Sequence, residues 1–447
     1  MAAVHIFILL TFISLLSPRA AIAGDLCSDE NDDVSIIHIY GKCSPFRLPK
    51  SSPSWDNTTF ISFLVSNDAE RLSYLSERKV SGVQRARATT VPVASGQNVL
   101  NIGNYVVRAK IGTPPQLMFM VLDTSRDSAW VPCGCCSGPA APFASNASSS
   151  YSSVDCAQPE CTRARGLACP QTGSGGGGDC SFNQSYGGDS SFSATLARDT
   201  LRLGSDVIPS YEFGCVTSIS GNNIAPQGLL GLGRGPTSLL SQAGALYSGL
   251  FSYCLPSFKS YYFSGSLKLG PLGQPKTKHT TPLLKNPHRP SLYYVNLTGV
   301  SVGKVTIHIP QDLLKFDPNT GSGTVIDSGT VITRFVGPAY EAVRDEFRRQ
   351  VAGPFSSLGA FDTCFAVRHE SAAPTVTFHL EGMDLVLPVE NTLIHSSYGN
   401  LACLAMAAAP DGVNSVLNVI ASLQQQNLRV VFDTVNSRLG ITRELCN

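Results

Sequence analysis

The sequence predicts a mainly β chain built from two similar halves. Its 447 residues include 40 glycines and 28 prolines. After about residue 95 these break the text into apolar runs of about four to eight residues, the pattern of short strands between turns. Only one clear helical pattern interrupts them. The run FMVLDTS, residues 119–125, returns 204 residues later as GTVIDSG, residues 323–329. Both copies end an apolar strand on an acid followed by a hydroxyl.

Composition narrows the function classes. The chain is 43% apolar and 15% charged, with a net charge of +1. That suits a globular protein with a large core. Lys and Arg form no cluster beyond RRQ and RAR, so a nucleic-acid partner is not expected.

The N-terminus reads as an address. IFILLTFISLL, residues 6–16, is a short apolar run followed by AAIAGD, a small-residue cleavage pattern that places the cut after Ala23. Residues 1–23 are therefore expected to be a signal peptide on a secreted chain. No later segment holds eighteen consecutive apolar residues and the C-terminus RLGITRELCN is polar. Neither a membrane span nor a lipid anchor is expected.

Residues 24–95 mix SDENDD, LPKSSPS and the basic ERKVSGVQRARATT. This suits a removable pro-segment ending in a cleavable loop. GSGGGGD, residues 173–179, reads as a flexible loop. GLLGLGRG, residues 228–235, reads as a turn, since its glycines lack the strand-to-helix setting of a phosphate cradle. GPAYEAVRDEFRRQV, residues 337–351, predicts a helix with Pro338 in its first turn. Tyr340, Val343, Phe347 and Val351 form its apolar face, and its charges are expected to face solvent.

Fourteen cysteines in a secreted chain predict disulfides rather than a metal. CGCC fits no zinc spacing and no nearby His completes a ligand set. Asn57, Asn146, Asn183 and Asn296 head glycosylation triplets.

In a duplicated β chain, two strand-end acids in corresponding halves would meet at a pseudo-two-fold junction. The motifs YVVRAKIGTPPQ, FNQSYGGDSSFSATLARDTL, QGLLGLGRGPTSLLSQ, FSYCLP, GTVIDSGTVITR, FDTCF and QQQNLRVVFDTVNSRLGI extend the pattern over residues 100–447. Together they resemble the pepsin-like aspartic peptidases, and especially the cysteine-rich, nepenthesin-like plant branch. The resemblance implies a bilobal fold of two pseudo-symmetric β-barrel-like lobes, residues 96–270 and 271–447, with a cleft between them. It implies a monomer without cofactor that hydrolyses polypeptides outside the cell, in the plant apoplast or cell wall.

The resemblance assigns roles to single residues. Asp123 and Asp327 would hold the attacking water, sharing one proton because two adjacent carboxyls cannot both ionise easily; this sharing is the established behaviour of such dyads. The hydroxyls of Thr124 and Ser328 would bond across the lobes. Tyr186, in SYGGDSSFS, would be the flap tyrosine, and the indole of Trp130 would meet it. Cys364 would pair with Cys403, Cys254 with Cys446, Cys156 with Cys180 and Cys161 with Cys169. Cys215 would take one of Cys133, Cys135 or Cys136.

Three positions depart from the family pattern. Ser125 and Arg126 stand where Gly and Ser are usual, and Ala421 replaces a usual Gly. Arg126 cannot supply the hydroxyl that supports the first acid, so weakened support at Asp123 is expected. This leaves two functions open: an acid endopeptidase, or a peptidase-like binding protein of the xylanase-inhibitor type.

Overall fold

The repeat seen in the sequence is a repeat of strand pairing. Strand Gln116–Asp123 runs parallel to Leu229–Gly231, with Val121 opposite Leu229 and Asp123 opposite Gly231. In the second half, Gly323–Ile326 runs parallel to Leu417–Ile420, with Val325 opposite Val419. The next strand of each half then crosses its partner the other way: Trp130 faces Leu229, and Arg334 faces Val419. That next strand also gains a parallel neighbour in each half. Ala129–Pro132 pairs with Asp206–Ser220, and Thr333–Phe335 pairs with Met406–Ala408. Strands covered on both faces are buried continuously rather than alternately. Accordingly Met120 through Asp123 and Thr324 through Asp327 are all buried.

The structure, a computed structural model, describes residues 34–38 (backbone), 104–134, 141–162, 169, 178–186, 190–221, 225, 227–257, 265–271, 274–396, 398–410 and 415–446. The expected signal peptide, Cys27, Cys43, Asn57, Cys135, Cys136 and nearly all of the GSGGGGD loop lie outside these residues. So does all of the expected pro-segment except Val34–His38. That strand pairs with Tyr105–Ile111 on one side and Gly265–Leu269 on the other. A piece of the expected pro-segment is thus a strand of the central sheet.

The two halves meet in that sheet. Leu250–Cys254 pairs with Leu428–Asp433, which pairs with Arg438–Arg443. The rings of Phe251 and Phe432 stack there with centroids 4.5 Å apart. Two four-stranded antiparallel sheets complete the second half. One orders Val305–Thr306, Leu297–Val302, Val376–Leu380 and Met383–Val386; the other orders Ser356–Leu358, Phe361–Ala366, Leu401–Leu404 and Leu393–His395. The hairpin Tyr105–Ile111/Gln116–Asp123 delivers the first acid. Its turn opens on Gly112 at φ +96°, a conformation that favours glycine.

The helix spans Gly337–Gln350, with Pro in its first turn. Tyr340, Val343 and Phe347 are buried, and Val351 is already extended. Its charges do not simply face water as expected. Arg344 Nη1 donates to Asp362 Oδ2 at 3.3 Å, and Arg348 Nη2 donates to the Asp362 carbonyl at 2.6 Å. Asp362 lies on the adjacent strand, so cations on the exposed flank of the helix reach over its edge to it.

Among the described residues every cysteine is paired. Cys364 bonds Cys403, Cys254 bonds Cys446, and Cys215 takes Cys133. The nested pairing expected before the flap is not the one observed: Cys156 bonds Cys169 and Cys161 bonds Cys180. The reason is register. The bridge between Asp155 and Asp179, with the Cys180 amide on the Val154 carbonyl, sets Cys180 opposite Val154. There it is buried with Cys161 and Leu196, while Cys156 sits one step outward. Non-reducing peptide mapping should therefore recover Cys161–Cys180 and Cys156–Cys169 peptides. Replacing Cys254 and Cys446 together by Ala should lower unfolding free energy by about 2–5 kcal/mol, measured by denaturant titration.

Candidate active site

Asp123 and Asp327 are both buried, at 0% and 1% exposure. A buried carboxylate is tolerated only with hydrogen-bond donors. Each acid receives them from its own loop. The Ser125 amide donates to Asp123 Oδ1 at 2.8 Å, and the Gly329 amide donates to Asp327 Oδ1 at 3.0 Å. Each loop also supplies a hydroxyl, but from different positions. In the second half Thr330 Oγ1 donates to Asp327 Oδ2 at 2.6 Å. In the first half Arg126 occupies the position equivalent to Thr330, and Ser125 Oγ donates to Asp123 Oδ1 at 3.0 Å.

This corrects the expectation of weakened support. The hydroxyl has moved one residue toward the acid, so Ser in place of Gly compensates for Arg in place of Ser. Arg126 points neither at bulk water nor away from charge. It is 7% exposed, and its guanidinium favours the ionised form of Asp127.

The two loops are bonded to each other. The Thr124 amide donates to Ser328 Oγ at 3.2 Å, and the Ser328 amide donates to Thr124 Oγ1 at 3.0 Å. Ser328 Oγ donates to the Leu122 carbonyl at 2.9 Å, and Thr124 Oγ1 donates to Asp327 Oδ1 at 3.3 Å. Each hydroxyl therefore serves the opposite half, and the first half reaches the second acid directly.

Further support comes from residues that the sequence reading passed over. Asn104 Nδ2 donates to the Gly329 carbonyl at 2.6 Å across 225 residues. Gln425 Nε2 donates to the carbonyls of Asp327, at 3.1 Å, and Ile420, at 2.9 Å, while Tyr253 donates its hydroxyl to Gln425 Oε1. The available signal was the run Ser422–Gln426, polar throughout except Leu423 and buried between two apolar strands. GLLGLGRG is more than the expected turn. Leu229–Gly231 is the parallel partner of the first acid's strand, and the glycines after it wrap the Asp127 segment. A Cβ on Gly231 would fall 2.2 Å from the Asp127 carbonyl oxygen. Ala421, its counterpart in the second half, sits at φ −95° and ψ 177°, an extended backbone open to any residue. Its amide donates to Thr333 Oγ1 at 2.9 Å.

The expected flap is the hairpin Ser181–Tyr186/Ser190–Leu203, with Tyr186 opposite Ser190 as its last pair. The side chain of Tyr186 lies outside the described residues. Trp130 is buried, its ring centroid 5.1 Å from that of Phe192 on the hairpin's second strand.

These contacts fix two sets of expected outcomes. Ser125→Ala removes the hydroxyl from the first acid. A hydrogen bond to a charged group contributes about 1.5–3 kcal/mol, so turnover should fall by about 10- to 100-fold where that loss enters the barrier. Ser125→Gly with Arg126→Ser should leave turnover close to that of the native chain. Gly231→Ala should destabilise the fold by about 1–3 kcal/mol through overpacking, whereas Ala421→Gly should cost about 1 kcal/mol or less. Steady-state kinetics and thermal unfolding check the two sets.

The chain matches the family model described as xylanase inhibitor N-terminal over residues 105–271, and the one described as xylanase inhibitor C-terminal over 292–443. It is 59% identical to aspartyl protease AED3 of Arabidopsis thaliana over 454 aligned residues, spanning 100% of this chain and 99% of the relative. It is 54% identical to aspartyl protease 25 of Oryza sativa subsp. japonica, spanning 93% and 95%. Aspartic proteinase nepenthesin-1 of Nepenthes gracilis is 35% identical over 77% of this chain and 78% of its own. Among solved structures, the crystal structure of edgp superposes with a TM-score of 0.61 at 21% identity, covering 77% of this chain and 92% of that one. At that identity the likeness concerns the fold alone. With its bilobal, mainly β architecture and these relatives, the chain belongs to the pepsin-like plant aspartyl proteases.

Proposed function

We propose that this protein is a secreted aspartic endopeptidase that hydrolyses peptide bonds with water held between Asp123 and Asp327. The observation that carries the reading is the reciprocal Thr124–Ser328 bonding, which joins two acid-bearing strand ends into one buried unit. One carboxylate takes a proton from the water as it attacks the scissile carbonyl. The other carboxyl gives its proton to the carbonyl oxygen, and proton return to the amine completes cleavage. The hairpin ending at Tyr186 acts as the flap that covers the substrate and excludes water.

Residues 1–23 act as the signal peptide and 24–95 as the pro-segment in this reading, with the plant apoplast or cell wall as destination. The paired cysteines suit an oxidising compartment. Among the described residues no helix is long and apolar enough to cross a membrane. Asn146 and Asn183 are exposed, as glycosylation requires, and Asn296 is half-buried. The inhibitor alternative gains no support from the site: both acids keep an amide and a hydroxyl donor.

The test is digestion of a denatured protein by the purified, processed chain, with and without pepstatin. Pepstatin-sensitive cleavage confined to acid pH is expected, because the dyad works with one proton held between its carboxyls. Asp123→Asn and Asp327→Asn should each lose at least about 100-fold in turnover while keeping the native circular dichroism. Near-native turnover in either variant would sink the assignment.

A further inference from the structure

The loop that carries the first acid holds a second carboxylate. Asp127 lies four residues after Asp123 and takes no part in the proposed chemistry. Its Oδ1 accepts the Gly235 amide at 2.7 Å, and its Oδ2 accepts Ser291 Oγ–H at 2.5 Å. The glycine-rich segment closes around it. A Cβ on Gly233 would fall 2.3 Å from Asp127 Oδ1, and one on Gly235 would fall 2.1 Å from Oδ2. The backbone around it is held too: the Gly233 amide bonds the Arg126 carbonyl at 2.6 Å, and the Leu232 amide bonds the Asp123 carbonyl at 2.8 Å.

Ser291 stands 164 residues away, just before the strand Tyr294–Val295 that pairs with the second acid's strand. Two residues on, the Tyr293 carbonyl accepts the amide of Ile326, the residue before Asp327. The Tyr293 hydroxyl returns to the first half, donating to the Leu232 carbonyl at 2.8 Å. A chain of contacts therefore runs from Asp127 by hydrogen bond to Ser291, along the backbone to Tyr293, and by hydrogen bond to Ile326.

This chain answers a geometric need. The Thr124–Ser328 exchange, the Ser328–Leu122 bond and the Asn104–Gly329 bond all lie at the acid-hydroxyl junction itself. An attachment farther along the first loop narrows the angle between the two loops. We propose that Asp127 is a positioning residue that, through Ser291, sets the orientation of the Asp123 loop relative to Asp327. The inference rests on the peptidase reading above.

Charge gives it a signature that plain packing lacks. Burial raises the Asp127 carboxyl above the ordinary aspartate value; Ser291, the Gly235 amide and Arg126 oppose this, and Asp123 adds to it. Tyr293, which itself lies in the field of Arg234, is also coupled to Asp127. Coulombic coupling is mutual, so an ionised Asp127 also opposes ionisation at Asp123. The folded chain holds the Asp127 proton more tightly than the unfolded chain does. That contribution to stability is complete below the unfolded value, about 3.9, and is lost as pH rises through the folded value.

The experiment compares Asp127→Asn, Asp127→Ala, Ser291→Ala and Ser291→Thr in the full chain, processed as the native one. Asn can accept the Gly235 amide and donate to Ser291, so it keeps the link without the charge. Ser291→Ala and Asp127→Ala should lower kcat by about 10- to 100-fold, the scale of a misplaced reacting group, with KM changed less than about threefold. Ser291→Thr and Asp127→Asn should recover most of that loss. In Asp127→Asn the high-pH limb of the kcat/KM profile should move to lower pH, and Tm should fall less steeply as pH rises above about 4. Unchanged kcat in Ser291→Ala would overturn the proposal, as would an unmoved pH limb in Asp127→Asn. If the native chain cleaves nothing, the peptidase reading fails, and hydrogen exchange decides the link. Faster exchange of the Gly235 and Ile326 amides in Ser291→Ala supports it; unchanged protection overturns it.

Discussion

Two amide-to-hydroxyl hydrogen bonds, exchanged between Thr124 and Ser328, are the constraint on which the rest of this structure depends. They lie where the halves meet, fully buried, between two acids that cannot be placed independently. Burial gives these bonds their weight. A buried hydroxyl or amide left without a partner costs about 1–3 kcal/mol, so the junction favours one register over any slipped alternative. The central sheet and the Cys254–Cys446 disulfide hold the halves together more broadly. The Thr124–Ser328 exchange sets where the acids stand.

Around this junction the two halves keep the same chemistry by different means. Asp327 takes its hydroxyl bond from the third residue after it and Asp123 from the second. The glycine opposite Asp123 has no room for a side chain, while its counterpart opposite Asp327 is an alanine in an extended backbone. The difference traces to Asp127, whose backbone and carboxyl fill the space above Gly231, Gly233 and Gly235. Symmetry is conserved in strand pairing and in the donors each acid receives, and relaxed elsewhere.

Much of this was legible in the sequence, for identifiable reasons. The acid-hydroxyl repeat at the ends of apolar runs marked both loops and the duplicated fold, because strand ends and their side chains are local properties. The helix was equally plain from its apolar face and its proline. Contacts between distant residues were not legible. Nothing in the text couples Asn104 to Gly329 or Ser291 to Asp127, and nothing reveals that the bridge between Asp155 and Asp179 selects the partner of Cys180. At Ser125 and Arg126 the sequence shows two departures and one lost hydroxyl. Only the position of the Ser125 hydroxyl shows that one offsets the other, since loop geometry decides which side chain reaches the carboxylate.

The separations of these contacts along the chain have a temporal consequence. The residues that join the acids are 204 apart, Asn104 and Gly329 are 225 apart, and Cys254 and Cys446 are 192 apart. Loops of that size are slow to close, and their entropy must be met before any contact within them contributes. Neither half alone contains two acids, and neither loop alone satisfies its own polar groups. A chain still emerging from the ribosome, or folded only in its first half, does not bring the two acids together. In the proposed peptidase the two acids therefore come together only with long-range contacts, when the chain is itself compact and hard to cut.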